Sequence, residues 1–471
     1  MNTNVLKLLL TKCVLAVWML GVLPTTVASQ IPVEPQRERL LNGLRVLIWS
    51  RPAESDVLLK LRVHSGAAFD LAGKEGTMTL LGDILFPDPN TREYFVEEMQ
   101  GRLSVSTDYD SLTITMQGRA NQFDRMIEIL RTALVTTQIT PENVTKMRDA
   151  RLKVIKETAV LPSVLADRAI ATRLFGDFPY GRPSGGSAES LARVERSDLM
   201  LARERFLNPN NATLIISGGI QPGRAVRSLR QVLGNWRKSE QVVPSTFRQP
   251  LPPDQRTLIV NAPSDQSVEV RLAMRGFARQ DQDVPAAALL ATIATQRWLK
   301  LVPELNRAPV FVRHESFTLP GIFVMGATVD NVLAAKTLAS AKEVIQSLAS
   351  TPVAPEELQL ARGLLLSQTN KDLSNSDGAA NAWLDGDTYQ LPSVAERVRT
   401  LAGLSPADVQ RAASRLVQNG AFASVVLGNS AVLKAQGDRL GKIEVMGELP
   451  PKIESKPNTT SKPFGRTPTK P

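Results

Sequence analysis

Residues 190–218, SLARVERSDLMLARERFLNPNNATLIISG, and residues 400–428, TLAGLSPADVQRAASRLVQNGAFASVVLG, decide the fold. Each stretch passes through a short turn into a Ser-initiated amphipathic helix with arginine in its middle. Each then enters a short apolar strand that stops at glycine, Gly218 in one and Gly428 in the other. A helix running into a buried strand is a common unit, so its recurrence carries weight only if what precedes it recurs as well. In the first half, the turn signal Asn42-Gly43 leads into the apolar runs 44–49 and 57–63, which read as a strand pair. Met78, Leu81, Ile84 and Leu85 fall at helical spacing and predict a helix over 73–86. Val105, Leu112, Ile114 and Met116 alternate as strands do over 103–117. Helices are predicted over 122–136 and, opened by Thr140-Pro141-Glu142, over 141–157. A buried strand over 211–218 and a helix over 225–233 close the half. The second half repeats the order, with strands at 256–261 and 268–274, a helix at 284–301, a strand at 321–329, and helices at 333–348 and 354–373.

The expected fold is therefore α+β, with two homologous α/β-layer halves, residues 37–237 and 257–445, closing on each other as a clamshell. Between them, residues 238–256 (KSEQVVPSTFRQPLPPDQR) are rich in Pro and Gln, show no periodicity and read as a linker. A length of 471 residues suits more than one domain, and 22% charged residues rules out wholesale disorder. The one cysteine, Cys13, excludes an intrachain disulfide and a cysteine zinc cluster, and two histidines, His64 and His314, exclude any three-histidine site. The net charge of +10 is concentrated at the ends of the chain, without a basic stripe, so nucleic-acid binding is not expected. Residues 1–28 carry Lys7 and Lys12, an apolar stretch and the small residues Thr26-Val27-Ala28. They read as a secretory signal peptide, which puts the protein in the periplasm with no membrane span after cleavage. Residues 450–471, rich in proline and lysine, read as a disordered basic tail. His64 and His314 lie on different halves and are read as ordinary histidines. Asp108 and Asp110 read as solvated carboxylates at a strand turn, since no glycine-hinged calcium loop follows them.

The order of short motifs resembles that of the insulinase-like (pitrilysin) metallopeptidase family, which includes mitochondrial processing peptidase. The likeness rests on Asn42-Gly43-Leu44-Arg45-Val46, on Gly73-Lys74-Glu75-Gly76 before the apolar helix to Phe86, and on Gly101 before the next strand. It continues through Phe178-Pro179-Tyr180-Gly181-Arg182-Pro183 and through Asn208-Pro209-Asn210-Asn211-Ala212 with the strand after it. The resemblance covers about residues 37–440. It implies an inverted zinc motif, H-x-x-E-H, on the first helix, with two histidines and a downstream glutamate as ligands and the motif glutamate as general base. Aligning Gly76 and Phe86 puts the motif on Thr79-Leu80-Leu81-Gly82-Asp83. Thr79 and Asp83 then stand at the histidine positions, Gly82 at the base and Glu157 at the third ligand.

The resemblance also implies an Arg/Tyr pair that binds substrate, in the stretch here spanned by residues 297–313. The expected positions fall near Pro303 and near Val310 or Phe311, leaving Arg307 and Arg313 as substitutes. A substrate peptide would add as a strand near Leu103, Ser104 and Val105. The implied function is that of a non-catalytic, periplasmic family member that holds no zinc, the silent subunit beside a zinc-bearing paralogous peptidase. Two other readings stand beside it: a stand-alone periplasmic protein that binds or scaffolds extended peptides, and an active peptidase with a rebuilt metal site.

Overall fold

The computed structural model describes residues 32–240, 247, 250–262, 267–418 and 421–446. The expected signal peptide (1–28), much of the 238–256 linker and the 450–471 tail lie outside the described residues.

The repeat is realised as two six-stranded sheets. The first contains β1 (Gln36–Arg39), β2 (Arg45–Ser50), β3 (Asp56–Val63), β4 (Arg102–Thr107), β5 (Leu112–Arg119) and β6 (Ala212–Gly218), in the order β1-β2-β6-β3-β5-β4. The second contains β7 (Thr257–Asn261), β8 (Ser267–Arg275), β9 (Val310–Glu315), β10 (Ile322–Asp330), β11 (Ala423–Gly428) and β12 (Ile443–Val445), in the order β12-β7-β11-β8-β10-β9. Five strands correspond one to one in order. The sixth differs: β1 runs antiparallel to β2, whereas β12 comes from the far end of the chain and runs parallel to β7. β4 and β9 are equivalent edge strands.

The first helix, α1 (Thr77–Ile84), is shorter than its apolar spacing predicts. Gly76 just before it has φ +92°, and a Cβ there would lie 2.8 Å from the Gly185 carbonyl oxygen, so only glycine fits this turn. Asp70 caps the helix, its carboxylate accepting from Gly76 N at 2.8 Å and Met78 N at 2.9 Å. After a short helix over Asn90–Glu97 and the β4–β5 pair come α2 (Phe123–Arg131) and α3 (Pro141–Thr158), the latter opened by Thr140, whose hydroxyl accepts from Asn143 N. In the second half, α5 (Val284–Leu301) matches its predicted range, while two later helices run Ala334–Ser350 and Pro355–Leu373.

Two further helices cross between the halves. α4 (Pro162–Phe175), from the first half, lays Ile170, Leu174 and Phe175 against Ala273, Val324 and Val425 of the second sheet. In exchange, α6 (Ser376–Thr388) sets Ala380, Trp383 and Leu384 against Leu47, Leu58 and Ile215 of the first. Each large apolar side chain so buried contributes ~1.5–3 kcal/mol. A polar ladder fixes the register of α6. Lys60 and Arg62 on β3 and His64 just past its end recur at the two-residue period of a strand. Lys60 Nζ reaches Asn381 at 2.8 Å and Asp377 at 2.9 Å, Arg62 reaches Asp385 at 2.6 Å, and His64 Nδ1 lies 3.1 Å from the Thr388 hydroxyl.

Candidate functional site

The positions that the resemblance assigns to zinc chemistry lie on α1, where it meets β4 and α3. Thr79 is buried and its hydroxyl donates to the Ser184 carbonyl at 2.8 Å. Gly82 lies against β4 and β5, and a Cβ there would be 3.0 Å from Val105 Cγ1 and 3.2 Å from Leu112 Cδ1. Asp83 is gripped by Arg151 of α3, whose Nε lies 2.9 Å from one carboxylate oxygen and whose Nη2 lies 2.7 and 2.6 Å from the two. Burial pushes the Asp83 carboxyl up, against the pull of Arg151. The expected third-ligand position, Glu157, is exposed. The α3 side chain that meets Asp83 is Arg151, roughly two turns earlier.

Beside this helix lies a cavity of about 370 Å³ between the halves. Arg151, Arg182 and Ser184 line it from the first half, Arg313 and Phe317 from the second, and Asp167 and Arg168 of α4 run along it. Of the two arginines expected as substrate-binding substitutes, Arg313 is therefore at the site, with Nη2 3.3 Å from Asp167 and an ion pair to Glu315. Arg307 is exposed, on a 3-10 turn (Pro303–Arg307) outside the cavity lining. Arg297 is engaged elsewhere, paired with Glu357 at 2.8 and 3.0 Å.

Leu103, Ser104 and Val105 lie on β4, the last strand of its sheet, which pairs with β5 alone. Asp108 N donates to the Ser111 carbonyl opposite it at 3.0 Å. Hydrogen-bonded pairs alternate in an antiparallel ladder, so Ser106–Thr113 and Ser104–Thr115 are bonded pairs. The backbone groups of Leu103, Val105 and Thr107 thus face the free edge, whereas those of Ser104 are turned to β5.

The sequence reading of Asp110 needs correction. Asp110 is buried, at 5% exposure, and accepts from Tyr180 Oη at 3.2 Å, Tyr389 Oη at 3.0 Å and Thr318 N at 2.7 Å. The β4–β5 turn does not face solvent, because it docks on residues 317–319 of the other half, where Phe317 packs on Tyr109 and Tyr180. Burial drives this carboxyl up. Asp108 fits the expectation: it is exposed and accepts from Ser111 N at 2.6 Å. Both histidines are half-buried. His64 Nε2 lies 3.0 Å from the Thr213 hydroxyl, and His314 Nε2 accepts from Phe277 N at 3.0 Å. Burial pushes them down to about 3 and about 4 respectively.

Family models match in two adjoining blocks. "Insulinase (Peptidase family M16)" covers residues 45–186, and "Peptidase M16 inactive domain" covers residues 193–365. The chain belongs to the insulinase-like M16 peptidase family. Its relatives include an "Uncharacterized zinc protease" of Rickettsia felis, 21% identical over 208 residues, which are 43% of this chain and 50% of that protein. A protein of the same description from Mycobacterium tuberculosis is 25% identical over 207 residues, 43% of this chain and 47% of that protein. The chain thus spans about half the length of these curated relatives. Among solved structures, a protease from Helicobacter pylori superposes with TM-score 0.77 at 16% identity, covering 84% of this chain and all of that one. A peptidase M16 inactive domain from Pseudomonas fluorescens gives 0.73 at 18%, covering 84% and 98%. A chain of Complex III2 from Candida albicans gives 0.73 at 15%, covering 87% and 100%. These likenesses show the M16 fold.

Zinc is the metal of M16 catalysis as the resemblance implies it, and the side chains here do not fit it. A catalytic zinc takes three protein ligands and leaves one position for water. Position 82 has no side chain, the Thr79 hydroxyl is committed to Ser184, and both Asp83 oxygens are held by a guanidinium. Among the described residues, no three His, Cys, Asp or Glu are gathered as a metal site. Sequence reasoning missed Arg151, Arg168, Asp70 and Tyr389. Their side chains carry no local signal, because each acts on a partner far away in the chain.

Proposed function

We propose that this M16 chain is a catalytically silent member of its family that holds an extended peptide along the free edge of β4. The observation that carries this reading is the Asp83–Arg151 ion pair. A carboxylate that binds zinc must offer a lone pair, and here a cation stands where the metal would be. Strand addition uses backbone groups, so it does not depend on catalytic side chains. The outward-facing amides and carbonyls of Leu103, Val105 and Thr107 supply the template.

On this reading the chain works as the silent subunit of a two-chain peptidase, with a zinc-bearing paralogue performing hydrolysis. Export to the periplasm rests on residues 1–28. Among the described residues no helix is long and apolar enough to cross a membrane. The test is co-expression with a paralogue carrying an intact H-x-x-E-H, followed by pull-down and a peptide-cleavage assay. A stable complex, burying more than about 1,000 Å², whose activity requires both chains supports the proposal. Separate elution, with the paralogue fully active alone, favours the stand-alone peptide binder.

A further inference from the structure

The cavity walled by α3, α4 and residues 180–186 carries more cation than anion. Arg151, Arg168, Arg182 and Arg313 line it, against Asp167 and Glu315. Both carboxylates are already occupied. Asp167 accepts from the buried Arg271 at 2.6 Å and pairs with Arg313 at 3.3 Å, and Glu315 pairs with Arg313. Arg151 is paired with Asp83 through Nε and Nη2. Two guanidinium groups remain. Arg182 donates its Nε to the Asp177 carbonyl at 2.8 Å, and its nearest carboxylate, Glu75, is 3.9 Å away. Arg168 is half-buried on α4 and forms no direct ion pair among the described residues; the exposed Glu189 lies close enough for the charge of Arg168 to help lower its carboxyl. Both arginines also line the adjoining cleft of about 1190 Å³, so they stand where the two cavities meet. A half-buried, unpaired guanidinium in a walled cleft is a strong anion receptor, because the low-dielectric walls focus its field and its planar fork matches a carboxylate.

We propose that this chamber selects acidic peptides, with Arg168 and Arg182 receiving a peptide carboxylate while the backbone lies along β4. The proposal rests on the peptide-holding reading and adds the substrate class. Aromatic and aliphatic walls, Tyr109, Phe175, Phe317 and Val324 among them, leave room for the apolar neighbours of an acidic side chain. A basic segment would instead place its cations against Arg168, which has no direct ion pair among the described residues, and Arg182, whose one carboxylate partner is 3.9 Å away.

The experiment uses the full chain and short labelled peptides that differ only in carrying Glu, Gln or Lys at central positions, each with a free or an amidated C-terminus. Binding is read by fluorescence anisotropy. The Glu peptide is expected to bind about tenfold more tightly than the Gln peptide, as a charge-assisted hydrogen bond implies, and the Lys peptide most weakly. Arg168→Gln should bring the Glu peptide to the level of the Gln peptide and leave the latter unchanged. Arg168→Glu should reverse the order, and an unchanged melting temperature shows that both variants fold. A preference that survives amidation assigns the site to acidic side chains, and one that vanishes assigns it to the terminal carboxylate. Either outcome supports the proposal. Equal affinities for all peptides, still weakened by Val105→Pro, overturn acid selection and leave peptide holding intact. Absence of binding by every peptide overturns both.

Discussion

Arg151 and Asp83 form a two-pronged ion pair, with guanidinium nitrogens 2.6, 2.7 and 2.9 Å from the carboxylate oxygens, joining α3 to α1 at the position that the family resemblance assigns to a metal ligand. The pair is partly buried, with 23% of the arginine and 18% of the aspartate side chain exposed. Removing one partner leaves the other charge poorly solvated.

Arg151→Ala is therefore expected to destabilise the first half by ~1–3 kcal/mol, read as a lower urea midpoint. Arg151→Ala combined with Asp83→Ala should recover part of that loss, because no lone charge is left. Simple additivity of the two changes would show that the pair does not couple α1 to α3.

The alternation along β4 separates two neighbouring residues. The Val105 amide faces the free edge, and the Ser104 amide is bonded to β5. N-methylation of alternate residues in a bound peptide should abolish binding in one register of methylation and spare it in the other. Val105→Pro should weaken binding while changing stability less than Ser104→Pro, which costs the sheet a ladder bond. Equal tolerance of both methylation registers would argue against strand addition here.

The halves are locked at Asp110, where one carboxylate of the first half takes hydrogen bonds from Tyr389 and Thr318 of the second. Asp110→Ala leaves those donors without their acceptor, at a cost of ~2–4 kcal/mol. The expected result is faster hydrogen exchange in residues 317–319 and at the C-terminal end of α6, with the sheets protected as before. Tyr389→Phe should do the same at about 1 kcal/mol. Unchanged exchange at both places would mean that the apolar crossings of α4 and α6 hold the halves alone.

His64 sets one term in the pH dependence. Its folded pKa of about 3 lies below its unfolded value near 6.5, so the folded state binds the proton less readily. The stability it contributes is present above pH 6.5 and is lost as pH falls from 6.5 toward 3. Arg45 and Arg62 beside it oppose protonation, and Asp387 lies 4.0 Å from Nε2. Asp70, which burial pushes up to about 7, acts in the opposite sense, so wild type must be compared with a variant. Between pH 7 and pH 5, His64→Asn is expected to lose ~1–2 kcal/mol less stability than wild type. Equal losses would mean that His64 is protonated in the fold.

Much of the scaffold could be read from the residues, and the parts that could not have a common cause. Alternation and helical spacing report which face of an element is buried, and so the predicted strands and the 284–301 helix match the structure. They do not report what covers the other face of a sheet. The crossing helix α6 reads SDGAANAWLDGDT, with Gly378 and Gly386 inside it and carboxylates spaced for Lys60 and Arg62 rather than for solvent. Its helical state comes from the opposing sheet, which overrides poor propensity. Asp110 was misread for the same reason, since its burial is made by residues more than two hundred positions away. Thr79, Gly82 and Asp83 lie on α1, the helix that the apolar spacing predicts, but the guanidinium on Asp83 has no signature short of the packed fold.

The account stands most directly on zinc. The purified chain is to be incubated with excess zinc, desalted and analysed for bound metal by mass spectrometry. The account expects far less than one zinc per chain, because Arg151 occupies Asp83 and, among the described residues, no three His, Cys, Asp or Glu are gathered as a metal site. One zinc per chain, lost on Asp83→Ala, would contradict it.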